Sequence, residues 1–215
     1  MIVKICGLTT LEDALAAVDA GADMLGFNFY PPSPRYLSPF ACRQIVAGLA
    51  QRGARVVTVG VFVNASAEHI QSTLEGCGLD LAQLSGDEPA QALHSLGKRA
   101  FKALRPASEA SLQQALELYP PRPEAPAWLV DAFRPGAYGG TGHAADWTLA
   151  AGLAARAPIL LAGGLTPGTV AAAVAQVQPW GVDVASGVEA SPGRKDARKM
   201  AAFIQAVRQA HQADA

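Results

Sequence analysis

Asp131 closes the short apolar run Trp128-Leu-Val and opens a loop, Ala132-Phe-Arg-Pro-Gly-Ala-Tyr-Gly-Gly-Thr-Gly142. Gly136, Gly139, Gly140 and Gly142 let that loop's backbone adopt conformations closed to other residues and come close to a ligand. An acid at a strand end, its base buried by Leu129 and Val130, is partly desolvated, which raises its pKa and suits it to general acid chemistry near neutrality. The loop beside it suits a lid that excludes water. The plainer alternative is an aspartate that caps the following turn.

Cys6 is the second group able to move a proton. It lies two residues from Lys4 in Ile2-Val-Lys-Ile-Cys, so both side chains project to one face of a strand. An ammonium there lowers the thiol pKa and favours a thiolate base or nucleophile, although a free cysteine is often simply a small buried hydrophobe. Cys42 and Cys77 fall within helical patterns, where the core reading is the better one. Two glycine turns, Gly163-Gly164 and Ser186-Gly187-Val188-Glu189, follow the last two apolar runs. Backbone N–H groups in such turns bind a phosphate dianion without a basic side chain. Arg35 sits in Tyr30-Pro-Pro-Ser-Pro-Arg-Tyr, a stiffened loop able to hold a guanidinium over the barrel mouth, where its planar fork suits a carboxylate, although taken alone a solvated surface arginine is the plainer reading. Taken together, these groups imply an enzyme acting on a small phosphorylated substrate.

The elements that must position them alternate along the chain. Strands are expected at Ile2–Cys6, Met24–Phe29, Val56–Val63, Leu79–Leu84, Ala100–Leu104, Trp128–Asp131, Ile159–Ala162 and Val182–Ser186. Helices are expected near Leu11–Ala20, Pro39–Ala50, Ala67–Cys77, Pro89–Leu96, Glu109–Leu118, Trp147–Ala155, Pro167–Gln176 and Asp196–Gln209. Thr10, Ser38 and Thr166 are expected N-caps, the last two followed by proline. Strands alternating with helices imply βαβ units and a parallel sheet. Eight such units favour a closed (β/α)8 TIM barrel, one domain over 1–215, because closure leaves no sheet edge. An open dinucleotide-binding sheet would carry Gly-x-Gly-x-x-Gly where Cys6-Gly-Leu-Thr-Thr stands.

In such a barrel the active face is the C-terminal end of the strands. The spacing places Cys6, Arg35, Asn64, Asp87, Asp131, Gly163-Gly164 and Ser186-Gly187 there. Asp183 alternates in phase with Lys4 on strands that become neighbours on closure, which predicts a buried pair, structural or orienting.

Composition narrows the partners. Half the residues are hydrophobic, 16% are charged and the net charge is −1, so there is no basic footprint for nucleic acid. No apolar run approaches the roughly 18 residues of a membrane span. The chain enters a strand directly, without a signal-peptide pattern, and its three widely spaced cysteines suit a reducing cytoplasm better than a disulfide framework. His69, His94, His143 and His211 fall in no metal-ligand spacing, so no metal is expected. Oligomeric state does not follow from the sequence.

Read in order, several stretches resemble the phosphoribosylanthranilate isomerases of tryptophan biosynthesis. They are Val3-Lys-Ile-Cys-Gly-Leu-Thr, Gly21-Ala-Asp-Met-Leu-Gly-Phe, Ser33-Pro-Arg-Tyr-Leu-Ser, Val61-Phe-Val-Asn and Gln83-Leu-Ser-Gly-Asp-Glu. Tyr138-Gly-Gly-Thr-Gly, Leu161-Ala-Gly-Gly-Leu-Thr-Pro and Val182-Asp-Val-Ala-Ser-Gly-Val-Glu continue the series. The resemblance implies an Amadori rearrangement with Cys6 as general base, Asp131 as general acid and Arg35 on the anthranilate carboxylate. It implies no cofactor. Two departures stand out: Ser85 where the family usually has histidine, and His143 where it tends to have lysine. The rival readings are another phosphosugar barrel or a non-catalytic phosphosugar-binding barrel. An indole-glycerol-phosphate synthase would need a longer chain and several strand-end lysines. A pentulose-phosphate epimerase would need a His/Asp metal set.

Overall fold

The computed structural model describes residues 1–132 and 145–213. Most of the glycine-rich loop read as a lid, with His143, lies outside them.

Eight parallel strands close on themselves in sequence order. They are β1 (Ile2–Cys6), β2 (Met24–Asn28), β3 (Val57–Phe62), β4 (Leu81–Leu84), β5 (Ala100–Leu104), β6 (Trp128–Val130), β7 (Ile159–Leu161) and β8 (Gly181–Val184). The expected limits of β1 and β5 match these, and β8 starts one residue earlier than expected. All strands but β1 and β5 were overrun by one or two residues, mostly at their C-terminal ends, because apolar patterning continues past the ladder into the loops that carry the site.

Alternation sorts the side chains. Met24, Val59, Leu81, Phe101, Ala103, Leu129, Leu160 and Ala162 form one apolar cluster that plugs the barrel lumen. Residues of opposite phase, such as Val3, Ile5, Phe27, Leu84, Val130 and Val182, join the larger cluster beneath the helices. The helices are α1 (Leu11–Asp19), α2 (Pro39–Gln51), α3 (Ala67–Cys77), α4 (Ala90–Leu96), α5 (Glu109–Leu118), α6 (Trp147–Ala154), α7 (Val170–Val177) and α8 (Ala197–Ala213). Thr10 and Ser38 accept N-cap bonds from Asp13 N and Ala41 N. Thr166 does not cap α7. It opens a separate turn, its N–H donating to Thr169 Oγ1 at 3.0 Å, and the helix begins only at Val170, beyond Pro167-Gly168. A hairpin of β9 (Glu189–Ser191) and β10 (Arg194–Lys195) follows the last barrel strand, too short to show in the hydrophobic pattern.

Candidate active site

Beneath the mouth lies a buried polar layer. Lys4 is fully buried, and its Nζ donates to Asp183 Oδ1 at 2.7 Å and to Gln83 Oε1 at 3.0 Å. Gln83 Nε2 in turn donates to Ser85 Oγ at 3.1 Å, so Ser85 ends a chain of hydrogen bonds. Burial pulls the Lys4 pKa down, but Asp183 and then Cys6 outweigh it, and the ammonium ends above its ordinary value.

Cys6 sits one side-chain layer higher. A Cβ built on Gly26 would meet Cys6 Sγ at 2.7 Å and Lys4 Nζ at 3.1 Å, so only glycine on β2 leaves room for both groups. Burial pushes the Cys6 thiol up, Lys4 pulls against it, and burial wins. The expectation of a thiol lowered by Lys4 is therefore corrected: the ammonium offsets only part of the desolvation.

Asp131 follows β6 and borders the same cavity. Its carboxyl is raised from 3.8 to about 6, first by burial, with the Ala132 N–H at 2.8 Å lowering it and Asp183 raising it.

Arg35 reaches the mouth from the loop after β2, its own N–H donating to Ser33 Oγ at 3.1 Å. Its Nε and Nη2 donate to Glu189 Oε1 and Oε2 at 2.7 and 2.9 Å, a bidentate pair that leaves the Nη1 corner of the fork for another carboxylate. Glu189 is held in turn by Lys195 Nζ at 3.0 Å, which also donates to Ala185 O at 2.9 Å. Burial pushes Glu189 up, yet Arg35 and Lys195 hold its carboxyl below the usual range.

A second cavity lies against the ends of β7 and β8, lined by Gly163, Gly164, Ser186 and Gly187 with Asp131 and Asp183. Gly163 and Gly164 take φ of +90° and +63°, a left-handed pair that only glycine adopts without strain. Gly187 packs so tightly that a Cβ there would lie 1.9 Å from Leu165 O. No basic side chain lines this cavity among the described residues, so turn N–H groups would have to supply any anion binding. The mouth cavity takes in Cys6, Arg35, Gln83, Arg105, Asp131 and Asp183. The two cavities share Asp131, Asp183 and Ala185. Cys6, Arg35, Asp131, Gly163, Gly164, Asp183, Ser186 and Gly187 thus line two adjoining cavities, whereas Asn64 and Asp87, also expected at this face, line neither.

Sequence reasoning passed over Arg105 and the Lys195–Glu189 support of Arg35. Arg105 was findable, since it continues the inward phase of Phe101 and Ala103. Lys195, on a two-residue strand, left no such signal.

A closed parallel barrel with its polar groups gathered at the strand C-termini defines a (β/α)8-barrel enzyme. A family model for N-(5'phosphoribosyl)anthranilate (PRA) isomerase matches residues 3–206, and the chain belongs to that family. An N-(5'-phosphoribosyl)anthranilate isomerase of Pelobacter propionicus is 48% identical over 202 residues, covering 94% of this chain and 93% of the relative. One from Magnetococcus marinus is 48% identical over 208 residues, covering 97% and 95%. The crystal structure of the Thermotoga maritima phosphoribosyl anthranilate isomerase superimposes with a TM-score of 0.85 at 38% identity, covering 97% of this chain and 100% of that one. A phosphoribosyl anthranilate isomerase in complex with reduced 1-(o-carboxyphenylamino)-1-deoxyribulose 5-phosphate matches with a TM-score of 0.82 at 38% identity and the same coverage. Among the described residues no helix is long and apolar enough to cross a membrane.

Proposed function

We propose that this chain is an N-(5'-phosphoribosyl)anthranilate isomerase, acting at the third step from chorismate to tryptophan. The observation that carries the reading is one cavity bordered by both Cys6 and Asp131, joined to the glycine turns after β7 and β8. The substrate phosphate sits on the N–H groups around Gly163-Gly164 and Ser186-Gly187, and Arg35 takes the anthranilate carboxylate. The bound ligand of a solved relative carries both of these groups.

Asp131, whose raised pKa keeps a protonated fraction available near neutrality, gives its proton to the ribose ring oxygen. The C1–O bond breaks, the nitrogen lone pair forms an iminium, and Asp131 is left as carboxylate. Cys6 then takes the proton from C2, and the C2–H electron pair flows to the iminium to give an enolamine. Cys6 acts from its thiolate form, its own proton having passed to solvent, and the iminium adds a second cation to that of Lys4 in favour of the thiolate. Tautomerisation yields 1-(2-carboxyphenylamino)-1-deoxyribulose 5-phosphate. Asp183, fixed by Lys4 and bordering both cavities, serves as a substrate-binding group. The substrate nitrogen serves as electron sink, so the scheme calls for no cofactor.

The test is anthranilate-type fluorescence of phosphoribosylanthranilate generated in situ. Signal lost much faster with the purified protein than in buffer, with a product of unchanged mass, is the expected result. Loss at the buffer rate would overturn the reading in favour of another phosphosugar substrate or a non-catalytic barrel.

A further inference from the structure

Arg105 stands beside Asp131. Strands β5 and β6 pair in parallel with Leu104 opposite Val130, and Asp131 N donates to Leu104 O at 2.9 Å. The next residues on each strand, Arg105 and Asp131, are therefore neighbours at one level, separated by roughly one interstrand spacing of about 4.8 Å at the backbone. Both share the inward phase of Phe101, Ala103 and Leu129, and both line the cavity that holds Cys6.

Arg105 is also tied from outside. Its Nη2 lies 3.0 Å from Asp87 Oδ1. Asp87 is fixed by a hydrogen-bonded scaffold: its N–H donates to Asn64 Oδ1 at 2.7 Å, and Asn64 itself takes a φ of +55°. The N–H groups of Asn64 and Gly86 both donate to Glu88 Oε1, each at 2.9 Å. Glu88 Oε2 is held by the buried Lys102 Nζ at 2.6 Å. An ion pair with an exposed carboxylate adds little stability, so the consequence of this scaffold lies in where it holds the Arg105 charge.

We propose that Arg105 is a positioning residue for the proton-donating step, its guanidinium fixing and polarising the Asp131 carboxyl, and that Asp87 meters how much of that charge reaches Asp131. This rests on the reading of Asp131 as the acid. Among the described residues, the other charged or titratable groups around Asp131 are Cys6 and Lys4 from β1, Arg35 from the loop after β2 and Asp183 from β8. Those that face it from β3, β4 and β7, namely Val61, Gln83, Ser85 and Ala162, carry no charge. Lys4 is matched by the buried Asp183 and Arg35 by Glu189, and among the described residues Arg105 is the cation on the strand next to the acid, at its own level. Its field works against burial and strengthens the acid.

The experiment is the pH dependence of kcat/KM for the wild type, Arg105→Gln, Arg105→Lys and Asp87→Asn. An acid must be protonated to act, so activity falls as pH rises through the Asp131 pKa. The substrate's own titration is common to all four proteins, so differences between them belong to the enzyme. Arg105→Gln is expected to move this limb upward by about half a unit or more while lowering kcat roughly three- to tenfold. Arg105→Lys keeps the limb in place, and Asp87→Asn moves it downward by a few tenths of a unit. Shifts of opposite sign at the two partners are not produced by a merely structural role. A limb unmoved in both Arg105→Gln and Asp87→Asn, with Asp131→Asn inactive, overturns the assignment of Arg105 alone. Asp131→Asn retaining full activity overturns the acid reading and this inference with it. If Arg105→Gln fails to fold, Asp87→Asn, at an exposed position, decides the matter.

Discussion

Lys4 Nζ lies 2.7 Å from Asp183 Oδ1 across the seam that closes the barrel, where the two residues are register partners on β1 and β8. Removing one partner leaves an uncompensated buried charge, so Lys4→Met should lower stability by about 3–5 kcal/mol. Lys4→Met combined with Asp183→Leu should recover much of that loss while activity stays low. Denaturant titration of the two variants, read beside turnover, checks this. Equal destabilisation by the single and double variants would contradict it.

Asp131 carries a cost that its proposed role explains. Its carboxyl titrates at about 6 in the fold against 3.8 for an ordinary one. Between those values the folded chain keeps a proton that the unfolded chain has lost, so stability falls as pH rises through that window and stays lower above it. Asp131→Asn should therefore be more stable than wild type above pH 6, by about 1–3 kcal/mol, with the difference gone below about pH 4. Thermal or urea unfolding across that range reads the effect, and a variant less stable at neutral pH would refute it.

Gly7 controls Arg35. A Cβ at Gly7 would lie 2.5 Å from Arg35 Cδ, and its φ of +74° already favours glycine. Gly7→Ala is expected to displace the guanidinium and raise KM about tenfold or more, with a smaller effect on kcat. Arg35→Gln should mimic it in steady-state kinetics.

Gly187 closes the turn proposed to hold phosphate, with no room for a side chain against Leu165 O. Gly187→Ala should spread the turns after β7 and β8 and weaken competitive inhibition by inorganic phosphate at least about tenfold. An unchanged inhibition constant would move the phosphate site elsewhere.

Much of this was legible in the sequence because the relevant signals are periodic. The eight strands follow from short apolar runs, and Lys4, Cys6 and Asp183 follow from alternation on β1 and β8. What escaped depends on contacts between distant segments. Glu189 was read as part of a turn, yet its carboxylate pins Arg35, a residue 154 positions away. The Cys6 thiol shows a second limit, because a pattern reveals that an ammonium is near but not how much water both groups have lost. Thr166 shows a third: Thr-Pro is a sound helix start, but the Thr169 hydroxyl accepts the Thr166 N–H in a separate turn first.

The central claim is that Cys6 and Asp131 act on one substrate in one cavity. The most direct measurement is turnover of phosphoribosylanthranilate by Cys6→Ala and Asp131→Asn, beside binding of a reduced product analogue. Each variant is expected to lose about 10²- to 10⁴-fold in kcat while binding the analogue within a few-fold of wild type. Either variant turning over within tenfold of wild type would contradict it.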